Sequence, residues 1–174
     1  SEKEDMARKI KELIDRDRER IERVIREIEK LIKELRDHNK RVLETDKRLL
    51  DDLKRVADDG IDRSELERLA EEIIRHTERV TERDKRIVDE IRKKIKEILE
   101  DNERTNREIR DELEKAPKDE DLRRLKEEVD RVAEETRRLL EEIKKKVDKV
   151  VREVETSNRR SEEEVRRLLD EIRR

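Results

Sequence analysis

Apolar residues recur at steps of three and four along the first third of the chain: Met6, Ile10, Leu13, Ile14, Ile21, Val24, Ile25, Ile28, Leu31, Ile32, Leu35, Val42, Leu49, Leu53 and Val56. A helix turns once in about 3.6 residues, so this spacing puts them on a single face. The stripe stops at Asp58-Asp59-Gly60, where glycine suits the left-handed residue just past a helix end. Ile61-Asp62-Arg63-Ser64-Glu65-Leu66 then reads as a helix start. Asp62 is the expected cap, Glu65 completes a capping box, and Ile61 and Leu66 occupy the two positions of a hydrophobic staple. A second stripe runs Leu66, Leu69, Ile73, Val80, Ile87, Ile91, Ile95, Ile98, Ile109, Leu113 and ends at Ala116-Pro117, because proline cannot continue a helix. Asp119 is the expected cap of a third helix, with its stripe at Leu122, Leu125, Val129, Val132, Leu140, Ile143, Val147, Val150, Val154, Val165, Leu168 and Ile172.

The pattern predicts helices over about 2–58, 62–115 and 119–173, forming a single bundle across residues 1–174. The connections are too short for anything but antiparallel neighbours. The expected fold is all-α: a long, coiled-coil-like, up-down-up three-helix bundle.

Composition narrows this. Charged residues make up 60% of the chain and hydrophobic ones 29%, with no aromatic residue and no cysteine. Such a composition would also suit disorder, but a disordered chain lacks a regular apolar stripe. Basic and acidic residues number 51 and 54 and are interspersed, and residues 1–59 carry 18 of each. Without a basic track or an aromatic to stack on bases, nucleic-acid binding is not expected. No apolar run approaches the ~18 to 20 residues that span a bilayer, and no basic start leads into an apolar core. A soluble chain follows, cytoplasmic on expression, with no compartment otherwise indicated. Glutamates stand four residues before lysines or arginines, as in Glu12 to Arg16, Glu19 to Arg23, Glu22 to Arg26 and Glu29 to Lys33. Each such pair supports a helix by ~0.2 to 0.5 kcal/mol.

Polar residues interrupt the stripes where apolar ones are due. In the first helix these are Asp17, His38, Asn39, Thr45 and Asp46; in the second, His76, Thr77, Thr81, Asp84, Asn102, Thr105 and Asn106; in the third, Thr136, Ser157, Asn158 and Ser161. Around Gly60, facing positions in the first two helices add to about 122 at one rise per residue. His38 then lies level with Asp84, Asp46 with His76, and Asp17 with Thr105. For the second and third helices the sum is near 238, from matching Leu113 to Leu125. Thr77 then faces Ser161, Thr81 faces Ser157 or Asn158, and Asn102 faces Thr136. The interruptions gather into two regions. One holds Asp17, Asn102, Thr105, Asn106 and Thr136, and the other holds the rest. A buried polar group left unpaired costs ~1 to 3 kcal/mol, so groups gathered in layers are expected to satisfy one another and to fix register.

The Ser1-Glu2-Lys3-Glu4 start, the Ile/Leu/Val stripes, the Gly60 and Pro117 loops and the His/Asn/Asp/Thr/Ser layers together resemble computationally designed helical bundles with buried hydrogen-bond networks. The resemblance covers the whole chain and is one of style, without a diagnostic motif. It implies a scaffold, a heterodimer half, or a cage of helices holding a separate helix.

Three sharper readings are weaker. His76, Asp46 and Ser161 fall in nearly one layer, as a Ser-His-Asp triad would require, but straight helices offer no oxyanion donors. His38 and Asp46 stand eight residues apart, as do His76 and Asp84. That is ~12 Å along a helix, so each His–Asp pair supplies two ligands, fewer than zinc needs. A natural spectrin-like rod module would share the three helices, yet aromatic residues are missing and the loops are minimal. The expected function is therefore a structural scaffold without catalysis, cofactor or metal. No partner is required and a monomer is favoured, with a helical partner or self-association as the alternative.

Overall fold

The computed structural model describes residues 2–60, 62–116 and 119–174. Three helices account for nearly all of them: α1 (Glu2–Asp58), α2 (Arg63–Glu114) and α3 (Glu120–Arg173). No strand occurs among the described residues. The fold is a three-helix all-α bundle.

The helix ends form as their residues dictate. Gly60 takes φ +69°, and the Asp59 and Gly60 amides return to the carbonyls of Arg55 and Ala57 at 3.0 and 3.4 Å. Asp62 caps α2: its Oδ1 accepts from the Ser64 amide at 3.3 Å and its carbonyl from the Glu65 amide at 3.0 Å. Asp119 caps α3 more fully, with Oδ1 accepting from the amides of Asp121 (2.9 Å) and Leu122 (3.2 Å). The expected staple involves Ile61 and the expected stop Pro117, and both lie outside the described residues.

Packing divides the chain into two compact units, one of residues 1–30 and 91–147, the other of 31–90 and 148–174. In the first unit, Lys3 at the start of α1 pairs with Asp119 and Asp121 at the start of α3, and Lys9 reaches Glu112 near the end of α2 at 2.8 Å. Thus α1 and α3 run parallel there and α2 antiparallel. One core cluster of this unit is Ile10, Ile109, Leu122, Leu125 and Val129, with Met6, Leu13, Ile14 and Leu113 packed against it, and Ile28, Ile91, Ile98 and Val147 are buried further along. In the second unit the end of α1 meets the start of α2 and the end of α3. The core cluster there is Leu50, Leu53, Leu66, Ala70, Ile73, Val165 and Leu169, and Leu35 and Val150 are buried further along the same unit.

The stripes are wider than their sequence outline. Leu50, Ala70, Val88, Val151 and Leu169 are buried although they stand outside the expected stripes. A helix in a three-helix bundle faces two neighbours, so adjacent positions can both turn inward. The intrahelical ion pairs differ as well. Among the described residues, those that close at i,i+4 are Arg75–Glu71, Arg123–Glu127, Arg138–Glu134 and Arg166–Glu162, and the four expected in α1 are not among them. Other α1 residues pair across helices, with Lys9 on Glu112, Arg20 on Asp101 and Glu27 on Lys94, or within α1 at i,i+3, with Arg8 on Asp5 and Arg55 on Asp52.

Candidate functional site

The buried polar side chains are Asp17, His38, Asp46, Thr77, Asp84 and Thr105. Each lies on the inward face of its helix, where neighbouring Ile, Leu and Val side chains exclude water. Such groups must find partners inside the protein.

In the second unit Asp84 of α2 is the centre. Its Oδ1 stands 2.8 Å from Nδ1 of His38 on α1, and its Oδ2 accepts from Nδ2 of Asn158 on α3, also at 2.8 Å. One carboxylate therefore engages all three helices. His38 is level with Asp84, as the turn at Gly60 requires. Asn158 lies one helical turn beyond Val154, the residue that the expected register sets opposite Asp84.

A second group lies nearer the Gly60 turn. Oδ1 of Asp46 and Nε2 of His76 are 3.8 Å apart, beyond hydrogen-bond reach, and neither atom has a hydrogen-bond partner in the protein. Burial pushes the Asp46 carboxyl above its ordinary value, against the opposing pull of His76 and of the Ser161 hydroxyl on α3. A catalytic relay would set the serine on the imidazole, whereas here Ser161 approaches the carboxylate.

In the first unit, Nδ2 of Asn102 donates to Oδ2 of Asp17 at 2.8 Å, and Nδ2 of Asn106 donates to Oδ1 of Asn102 at 3.3 Å. Burial raises the Asp17 carboxyl, with Asn102, Arg20 and Thr105 opposing and Asp101 reinforcing the shift. Oδ1 of Asp17 is buried without a hydrogen-bond partner in the protein. Thr105 is buried beside it, and Thr136 of α3 lines the same small cavity.

Several expected members behave differently. Thr81 is exposed and its hydroxyl donates to the Thr77 carbonyl at 2.9 Å, so it does not reach Ser157 or Asn158. Thr77 is buried, but its hydroxyl donates to the Ile73 carbonyl at 2.9 Å and not to Ser161. A threonine on a helix can always satisfy itself on the carbonyl four residues back, and that local bond outcompetes a distant partner. Asn39, Thr45, Ser157 and Ser161 are half-buried, and Oδ1 of Asn39 is buried without a partner. Sequence reasoning missed the half-buried Asp101, which pairs with Arg20 at 3.6 Å and also with Arg104. Its only signal was its place next to Asn102.

Among the described residues, no group of three or more His, Asp or Glu side chains converges on a point that could hold a metal ion. No described helix is long and apolar enough to cross a membrane. Comparison with protein-family models, with curated proteins and with solved structures finds no match.

Proposed function

We propose that this chain is a designed structural scaffold, a bundle whose buried polar contacts select one helix register and which performs no chemistry. The observation that carries this reading is the Asp84 carboxylate, held by His38 from one side and Asn158 from the other. Sliding any one helix by a single residue would turn Asp84 or its partners toward Ile, Leu or Val. A stranded polar group of this kind costs ~1 to 3 kcal/mol, and more when charged. The designed origin is supported by agreement at every level. Stripes, caps, the left-handed glycine and the polar layers all specify the same three helices.

A groove in the first unit favours a second reading, a binding module for a separate amphipathic helix. Between α2 and α3, an open groove of about 970 Å³ has an apolar floor of Leu113, Ala116, Leu122, Val129 and Ala133 and charged walls that include Arg110, Arg123, Lys126 and Asp130.

Sedimentation equilibrium and circular dichroism on the isolated chain separate the two. A scaffold sediments as a monomer, is fully helical alone, and melts cooperatively above about 65 °C, the upper end for ordinary domains. Self-association, or helicity that is completed only by an added partner, would transfer the reading to the binding module.

A further inference from the structure

The first unit contains a small, partly enclosed space with a mixed polar and apolar lining. It measures about 20 Å³; its polar lining is Asp17 and Arg18 of α1, Asn102, Thr105 and Asn106 of α2, and Thr136 of α3, and Ile, Val and Ala side chains supply the rest. One water molecule needs at least ~10 to 15 Å³ and two to four polar partners. The space therefore admits one water and no organic ligand.

Its polar lining is unevenly used. Asp17 is 6% exposed, and its Oδ2 is taken by Asn102 while its Oδ1 has no protein partner. A carboxylate oxygen can only accept, so whatever serves Oδ1 must donate. Asn106 spends one N–H on Asn102, over a long 3.3 Å. The hydrogen bonds Asn102–Asp17 and Asn106–Asn102 tie α1 to α2 and do not involve α3, although Thr136 brings a hydroxyl to the same space.

We propose that this cavity binds a single buried water molecule, which joins the Asp17 carboxylate on α1 to the Thr136 hydroxyl on α3. The water donates one hydrogen to Oδ1 of Asp17 and meets Thr136 with the other. Its lone pairs remain free for the second N–H of Asn106 or the hydroxyl of Thr105. The layer then resembles that at Asp84, where one carboxylate engages three helices, except that the third helix is reached through solvent. Among the described residues Asp17 is the one carboxylate bordering the space, with no further His, Asp or Glu to complete a metal site. That choice of groups suits water and not a divalent cation, which needs six or more oxygens.

The test combines a high-resolution crystal structure of the full chain with NMR detection of long-lived water. The expected result is one solvent peak within ~2.6 to 3.2 Å of both Asp17 Oδ1 and Thr136 Oγ1. A water-to-protein cross-relaxation signal should appear at the Thr136 methyl. Thr136→Val, close to it in shape, should abolish both signals, while Thr136→Ser should retain the peak. A dry cavity, a direct bond from Thr136 or Asn106 to Oδ1, a peak with six oxygens at ~2.4 Å marking a cation, or a water that persists in Thr136→Val would each overturn the proposal. Should Thr136→Val fail to fold, the crystal structure of the unaltered chain still decides.

Discussion

His38 and Asp84 stand 46 residues apart in sequence and meet at 2.8 Å, Nδ1 to Oδ1, with both side chains nearly closed to solvent. For this contact to be a hydrogen bond to a carboxylate, Nδ1 must carry the hydrogen, because a carboxylate only accepts. The other oxygen of Asp84 already serves Asn158. Asp84→Ala therefore leaves an imidazole and an amide facing the core without a partner. The expected loss is about 2 to 5 kcal/mol in urea or guanidinium unfolding. Replacing His38, Asp84 and Asn158 together by leucine should recover most of that loss, since no polar group is then stranded. A triple variant as unstable as Asp84→Ala would show that the site contributes more than mutual satisfaction.

The buried carboxyls of Asp17 and Asp46 give the chain a pH dependence of unusual sign. Burial raises both above the ordinary aspartate value, so the folded chain holds these protons more tightly than the unfolded chain does. Their contribution is unfavourable at neutral pH. It is relieved as pH falls through the raised folded values toward the unfolded value near 3.8. The carboxyls of Glu112, Asp119 and Glu134, which all keep contact with solvent, are lowered by Lys9, Lys3 and Arg137, and they act in the opposite direction. Salt screens those exposed pairs far more than the buried groups. At about 0.5 M salt, where the Debye length is only a few Å, Asp17→Asn should be more stable than the parent at pH 7. That advantage should shrink as pH approaches 4. Unfolding free energies across this range check it, and an advantage that grows on acidification would contradict it.

Gly60 isolates a backbone effect. A β-carbon there meets nothing within 4 Å, so packing is indifferent to it, while φ of +69° is not. Gly60→Ala should cost about 1 to 2 kcal/mol. Gly60→Asn should cost less, because asparagine tolerates the left-handed region. Thermal or denaturant unfolding of the two variants measures the difference.

Asp119 is the better anchored of the two helix caps. Its Oδ1 accepts from two backbone amides, and the side chain also pairs with Lys3 of α1. Asp119→Ala should lower stability through loss of the cap, whereas Lys3→Ala removes only its surface ion pairs with Asp119 and Asp121 and should cost clearly less. Hydrogen exchange at the amides of Asp121 and Leu122 should rise in the first variant and not in the second.

The sequence by itself determined the helices, their ends and most of the core. Each depends on neighbours within about four residues: a stripe with the helical period, a carboxylate before a first turn, a glycine after a last one. It also brought His38 level with Asp84, because the turn at Gly60 fixes the count and errors have little chain over which to accumulate. The choice of partner among nearby polar atoms was decided only in the tertiary structure. Asn158 reaches Asp84 from a full turn beyond the level position, Thr77 and Thr81 turn back to their own helix, and Asp17 takes Asn102 on one oxygen and leaves the other without a protein partner. Residues one turn apart share a helix face, so periodicity cannot distinguish them as partners. Side-chain length, rotamer and competition from the local carbonyl make that choice, and they act only once three helices are packed together.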